Sequence, residues 1–251
     1  MNDLSVLLVG ESWNMFTTEF KGFNNFTFGY YEEAFRPFAT ALEGFARLTH
    51  IPAHLAATKF PLTLDAIKDY DVILFSDIGA DTLLLHPDTF LKSQVLPNRL
   101  RLIQQYVNQG GGFAMIGGYM SFGGFEGKAH YHATPIEEIL PVEIAPYDDR
   151  VEAPEGIQPV PTKPIHPIIR GVTGQWPVLL GYNRLKAKPR SEILLKVDKH
   201  PLLVVGGYGK GRTAAFSSDM SPHWGSHEFV TWRLYGRFWQ QFIAWLSQTG
   251  E

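Results

Sequence analysis

Hydrophobic positions in this chain alternate between short unbroken runs and spaced stripes, the pattern expected when buried strands take turns with amphipathic helices. Leu4 to Val9, almost wholly apolar and closed by Gly10, predicts a strand buried on both faces, with Gly10-Glu11-Ser12 as the turn at its carboxyl end. Trp13 to Tyr31 is rich in Phe, Asn and Gly without clear periodicity and predicts a long loop. From Tyr31 to Leu48, apolar residues at 34, 35, 38, 42, 45 and 46 keep close to helical spacing and predict the first crossover helix, with Arg47 to Pro52 as a short second strand. Leu62 to Ile67 reads as a short helix capped by Thr63, with Asp65 favouring its amino end. Tyr70 to Asp77 is the clearest strand, a β-rich run closing on Ser76, Asp77 and Gly79. Leu100, Ile103 and Val107 mark a helix that Gly110 ends.

The stretch QGGGFAMIGGYMSFGGFEG, Gln109 to Gly127, then predicts a turn feeding a short buried strand, Phe113 to Ile116, that stops at Gly117-Gly118. A glycine pair at a strand end marks a place where the backbone must turn sharply or let another group come close. The order of strands and helices predicts a mostly parallel sheet with helices on both faces. From Tyr147 to Pro167 the texture turns proline-dense, an excursion across one end of the sheet without a core of its own, so residues 1–251 read as one domain. Glu192 to Val197, Pro201 to Val205 and Arg212 to Ser217 predict an antiparallel extension, with GGYGKG (206–211) as a turn that lacks the Lys-Ser/Thr ending of a phosphate loop. Phe229 to Leu246 predicts a long helix whose aromatic stripe, Trp232, Tyr235, Phe238, Trp239, Phe242 and Trp245, belongs to the core. Thr134-Pro135 followed by Glu137-Glu138 predicts a capped helix start.

Composition narrows the chemistry. The net charge of −3 gives no field for nucleic acid or an anionic membrane. No apolar run reaches transmembrane length, and MNDLSVLLVG lacks the basic start of a secretion signal, so a cytoplasmic location is expected. The chain contains no cysteine, which removes disulfides, thiolate metal ligands and any cysteine nucleophile. Aromatics make up 14% of residues and many fall in expected loops, where they wall a pocket or cover a subunit interface.

Parallel strands finish along one edge, so residues distant in sequence are expected to converge there: Glu11 and Ser12; Asp77 and Gly79; Gly117, Gly118, Tyr119 and Ser121; Ser217, Ser218, Asp219 and His223, with Trp224 walling the site. Three chemistries suit such an edge. Glu11, Ser12, Asp77, Gly79, Gly117, Gly118, Tyr119 and Trp224 would bind a small polar metabolite. Ser121 with His223 and Asp219 would form a serine triad, although the local sequence lacks the first glycine of the G-x-S-x-G elbow. His130-x-His132 and His223-x-x-x-His227 have spacings that suit a divalent metal, without an H-E-x-x-H motif.

These motifs resemble the class I glutamine amidotransferase-like superfamily, in the branch whose members carry a GGG-apolar-IGG-x-x-SFG stretch followed by TP-x-EE-x-LPV. Here they are Gly110 to Gly112, Ile116 to Gly123 and Thr134 to Val142, with His166 to Gly171, Tyr208 to Arg212 and Ser218 to Gly225 also similar. The resemblance implies a flavodoxin-like α/β three-layer sandwich with a short antiparallel extension. It also implies a nucleophile elbow within Gly117 to Tyr119, activated in active amidotransferases by a histidine and an acid near the last strands, with backbone amides holding the oxyanion. No residue of that elbow is a cysteine and the usual His-x-Glu element is absent, so glutaminase activity is not expected. The combined expectation is an amidotransferase-like protein that binds a small polar metabolite, a sugar or an acid, without cofactor or metal, nucleic acid or membrane. The alternatives are a serine- or metal-dependent hydrolase at the same edge, and a homo-oligomeric interaction subunit that uses the aromatic loop Trp13 to Tyr31.

Overall fold

The structure, a computed structural model, describes residues 4–249; Met1 to Asp3, the start of the stretch weighed above against a secretion signal, lie outside the described residues. Its strands are β1 (Leu4–Gly10), β2 (Ser12–Lys21), β3 (Asn24–Glu33), β4 (Ala46–Ile51), β5 (Val72–Ser76), β6 (Gly112–Ile116), β7 (Val142–Glu143), β8 (Arg150–Ile157), β9 (Val160–Pro161), β10 (Leu179–Asn183), β11 (Lys186–Ala187), β12 (Glu192–Val197), β13 (His200–Tyr208) and β14 (Gly211–Phe216). The helices are α1 (Arg36–Leu42), α2 (Ala53–Lys59), α3 (Leu64–Ile67), α4 (Ala80–Leu84), α5 (Pro87–Lys92), α6 (Arg99–Asn108), α7 (Pro135–Ile139), α8 (His227–Val230) and α9 (Tyr235–Leu246).

Eight strands form one sheet in the order β4-β1-β5-β6-β14-β13-β12-β9, parallel from β4 to β14 and antiparallel beyond. The unbroken apolar runs are explained by the two-residue period of a strand covered on both faces. Leu4, Val6 and Leu8 of β1, Val72 and Leu74 of β5, and Ala114 and Ile116 of β6 pack on the side of α1 and α9. The alternate residues, Leu7 and Val9, Ile73 and Phe75, Phe113 and Met115, face α2, α3, α4, α6 and α7. This is the expected flavodoxin-like three-layer sandwich with an antiparallel extension.

Local chemistry sets the element ends. Thr63 caps α3 by accepting the Ala66 amide at 3.3 Å, and Gly110 follows α6 with φ 124°. Asn98 caps α6 by accepting the amides of Leu100 (3.0 Å) and Arg101 (3.2 Å). Removing that acceptor in Asn98→Ala is expected to cost about 1 kcal/mol, read as a fall of roughly 2–4 °C in the melting midpoint.

Several expectations are corrected. Trp13 to Tyr31 is a hairpin of β2 and β3 paired over ten positions, from Ser12↔Glu33 to Lys21↔Asn24, turning at Gly22. The first crossover helix is confined to α1 because Gly44, at φ 72°, turns the chain straight into β4, and α2 is an additional helix. The last helix is two, α8 and α9, joined through residues 231–234, while Phe238, Trp239 and Phe242 are core as expected. β14 is a parallel partner of β6 as well as an antiparallel partner of β13, so it belongs to the central sheet. The capping bond expected at Thr134 is displaced: Glu137 accepts the amides of Ala133 and Ile144, both at 2.6 Å, and the Thr134 hydroxyl donates to the Tyr131 carbonyl. The proline-dense excursion supplies β8, which pairs antiparallel with β10, and β9, which closes the main sheet.

Candidate functional site

The carboxyl ends of β1, β5, β6 and β14 meet along one edge. Gly10 has φ 102°, and a Cβ there would stand 1.9 Å from the Ser76 carbonyl, so only glycine lets β1 leave the sheet at this point. The next residue, Glu11, and its neighbour at the end of β5, Asp77, both take left-handed backbone (φ 51° and 48°), a conformation that side chains adopt at a cost. The Glu11 amide donates to the Ser76 carbonyl at 2.8 Å, and the Ser76 hydroxyl donates to the Glu11 carboxylate. Asp77 accepts the Met120 amide at 2.7 Å and is also held by the Tyr119 amide. Asp219 accepts the Ser221 amide at 3.0 Å and lies 3.7 Å from Nδ1 of His223.

Three acids therefore share one edge, and their protonation follows from burial. Desolvation lifts the Glu11 carboxyl well above the ordinary range, and the charges of Asp219 and Asp77 raise it further. Asp219 is likewise pushed well up by burial and by Asp77. Asp77 is raised by burial, against which the Met120 amide and His223 pull it down. Glu11 is only 1% exposed and Asp219 4%, whereas the His223 side chain is 42% exposed, so any approach runs over Asp77, Tyr119, Met120 and His223. The Ser221 hydroxyl is fully buried and faces the Glu11 carboxyl, which it helps to hold down against the rise caused by burial.

An aromatic wall flanks the acids. Tyr119 packs against His223 (4.6 Å between ring centres), Trp224 (5.7 Å) and Phe125 (5.8 Å). Glu152 on β8 accepts the Tyr119 hydroxyl and the Trp224 indole N–H, both at 2.9 Å, and the Arg150 guanidinium lies 4.4 Å from the Tyr119 ring and 4.0 Å from the Phe125 ring. Beneath the glycine elbow, Asn183 accepts the Gly118 amide at 3.1 Å and donates to Asp149 at 2.8 Å. Asp149 in turn accepts the amides of Gly123 and Gly124, both at 2.9 Å.

Of the residues expected at this edge, Glu11, Asp77, Gly117, Gly118, Tyr119, Asp219, His223 and Trp224 are brought together. Ser12 turns away, its hydroxyl accepting the Ala53 amide of α2 at 2.8 Å, and Gly79 begins α4 beneath Met120. Ser121 is buried and accepts the Asp77 amide at 3.1 Å, and among the described residues no hydrogen bond joins it to His223. His130 pairs with Asp81 at 2.8 Å and His132 with the Ile144 carbonyl at 2.8 Å, apart from His223 and His227. Among the described residues no group of three or more His, Asp or Glu side chains is placed to hold a metal ion. Arg150, Glu152, Asp149 and Asn183 were missed by sequence reasoning. The one available signal was the charged run Asp148-Asp149-Arg150 inside the excursion.

The elbow is also filled. A Cβ on Gly117 would stand 2.3 Å from the Ser217 carbonyl oxygen, and one on Gly118 would stand 2.9 Å from Asp77 Oδ1. The amides of Tyr119 and Met120, which follow the elbow and could otherwise hold an oxyanion, are engaged by Asp77.

A cytoplasmic protein of Salmonella typhimurium, STM3548, is 42% identical over 97% of this chain and 99% of its own, with a TM-score of 0.94. A second, STM1381 from Salmonella typhimurium LT2, is 44% identical over 96% and 98%, with a TM-score of 0.92. A β-galactosidase from Bacillus circulans sp. alkalophilus is 14% identical over 84% of this chain and 26% of its own, with a TM-score of 0.52, a likeness of fold alone. No functionally curated protein matches. The model of the family described as "Putative glutamine amidotransferase" matches residues 5–248, nearly the whole chain, and the protein belongs to that glutamine amidotransferase-like family.

Proposed function

We propose that this protein is a cytoplasmic amidotransferase-like binding protein without glutaminase activity, and that it takes a small, neutral, hydroxyl-rich metabolite of the sugar class at the carboxyl edge of its sheet. The observation that carries the reading is the convergence of the Glu11, Asp77 and Asp219 carboxyls at one edge, beside the rings of Tyr119 and His223. Carboxyl groups gathered away from water are costly, and a ligand that supplies hydroxyls to the accessible one, Asp77, relieves part of that cost. Carboxyl groups held partly protonated both donate to and accept from hydroxyls, while each one that ionises disfavours a carboxylate ligand. Tyr119 and His223 offer ring surface beside Asp77, as the apolar face of a sugar requires. The cytoplasmic assignment leans on the names of the two Salmonella proteins; among the described residues no helix is long and apolar enough to cross a membrane. Glutamine hydrolysis is disfavoured because the chain has no cysteine and Asp77 occupies the amides beside the elbow.

The test is a thermal-shift screen with neutral sugars and polyols beside matched organic acids and amines. A binder at a hundred times its dissociation constant stabilises by about 2.7 kcal/mol, which for a chain of this size raises the melting midpoint by roughly 5–10 °C. The shift is expected from neutral polyhydroxyl compounds and to be lost in Tyr119→Ala. A screen in which only carboxylic acids stabilise the protein, or in which the protein releases ammonia from glutamine, sinks the proposal.

A further inference from the structure

We infer that the β2–β3 hairpin is an arm that grips a second copy of this chain. Its root is fixed: the Ala34 amide donates to the Glu11 carbonyl at 3.3 Å, Ser12 is tied to α2, and the Tyr31 ring meets His54 edge-on at 5.1 Å. Beyond the root, ten residues per strand at about 3.4 Å each carry the ribbon some 30 Å from the sheet edge. The ribbon is apolar where a solvated hairpin is polar. The pairing register places Trp13, Met15, Tyr30, Phe28 and Phe26 on one face and Phe16, Phe20 and Tyr31 on the other. The rings of Phe26, Phe28 and Tyr30 stack in a row at 6.1 and 6.5 Å. Phe16 is 77% exposed, Phe20 75% and Phe23, near the tip, fully exposed.

A two-stranded ribbon alone in water is marginal at best, so a ribbon with this surface gains its stability from what it touches. Area, charge and shape together point to a second copy. At about 200 Å² per aromatic side chain, the exposed aromatic and Met surface comes to roughly 900 Å² per chain, and two chains together give about 1,800 Å², the size of a stable interface. The ribbon carries Glu19, Glu32 and Glu33 against the single cation Lys21, which is the wrong balance for an anionic membrane surface. Among the described residues neither outer edge of the ribbon pairs with another strand, and a twofold axis lets the same antiparallel edge serve both partners at once. The arms spring from Ser12 and Glu33, next to Glu11, so arm exchange brings a partner up to the rim of the acidic edge.

Sedimentation equilibrium of the full chain at micromolar concentration and through serial dilution tests the inference. The expected mass is twice 28.3 kDa. The double variant Phe16→Lys/Phe28→Lys, which places a charge on each face, is expected to weaken dimerisation by about a hundredfold or more. Its far-UV circular dichroism and melting midpoint at monomeric dilution should match those of the wild type, because neither residue belongs to either core. A second variant, with residues 15–30 replaced by a short Gly-Ser turn, should be monomeric and folded. A wild type that is monomeric throughout, including one that instead binds phospholipid vesicles, overturns the inference. So does a double variant that dimerises as tightly as the wild type.

Discussion

Gly117→Ala is expected to destabilise this protein by about 3 kcal/mol or more, lowering the melting midpoint by roughly 6–12 °C. The glycine's φ is not the reason, since it lies outside the left-handed region; the reason is space. The added methyl would lie 2.3 Å from the carbonyl oxygen and 2.5 Å from the carbonyl carbon of Ser217, with Asn183 Oδ1 at 2.9 Å. Two of those three atoms are backbone of the chain leaving β14, and the Gly117 amide ties the same region down through bonds to Phe216 O (2.8 Å) and Ser218 O (3.0 Å). A side chain can rotate away, but a strand paired in a central sheet has to slide, taking its hydrogen bonds with it. Gly110→Ala is the matched control: its φ of 124° brings strain but nothing lies near its Cβ, so a loss of about 1 kcal/mol is expected. Equal losses at the two positions, read from denaturant midpoints, would show that β6 and β14 part freely and that the elbow is not closed. The same geometry bears on function. Cysteine at 117 meets the Ser217 backbone and cysteine at 118 meets Asp77, so neither substitution is expected to produce ammonia release from glutamine.

The parts of the fold that could be read from the chain are those where burial leaves a periodic mark. β1, β5 and β6 are covered on both faces, so their runs are continuously apolar and bounded by glycine or polar residues. The hairpin of β2 and β3 left no such mark. It packs against almost nothing in its own chain, both faces mix Phe with Thr, Asn and Glu, and without one buried face the alternation of a strand disappears. The break between α8 and α9 falls at Thr231 to Leu234, where neither Gly nor Pro interrupts the aromatic stripe. There Phe229 stacks on Phe216 (6.2 Å) and the Tyr235 hydroxyl donates to the Met220 carbonyl at 2.6 Å, so tertiary contacts decide. The acids of the site were legible because Glu11, Asp77 and Asp219 follow strands that must end on the same side. Arg150 and Glu152 were not, because they arrive on β8, whose place depends on antiparallel pairing with β10. Asn183 gives no local signal at all; its value lies in joining Gly118 to Asp149, a relation that exists only after folding.

Glu11→Gln is expected to stabilise the protein, and by an amount that grows with pH. Burial and the charges of Asp219 and Asp77 raise the folded carboxyl above its unfolded value, so the folded state binds this proton more tightly than the unfolded chain does. That contribution is fully present below the unfolded carboxyl's range and is lost as pH rises through the folded value. Glutamine keeps an acceptor for the Ser76 hydroxyl and a donor toward Ser221, but it has no charge to be desolvated. At pH 4 the two proteins should therefore melt within a degree or two of each other. At pH 8 the variant should be clearly ahead, by a margin that widens steadily from pH 4. Asp219→Asn should show the same sign, and the double variant should gain less than the sum, since removing either charge relieves the other acid. Melting midpoints of the four proteins from pH 4 to pH 8 give the answer. A Glu11→Gln advantage that stays flat across that range would mean that Glu11 ionises like an exposed carboxylate, leaving the edge able to accept from hydroxyls but not to donate to them as proposed. A rising advantage would identify the acidic edge as a place where stability has been given up to keep carboxyl groups together, which is the expected signature of a binding site and not of a packed core.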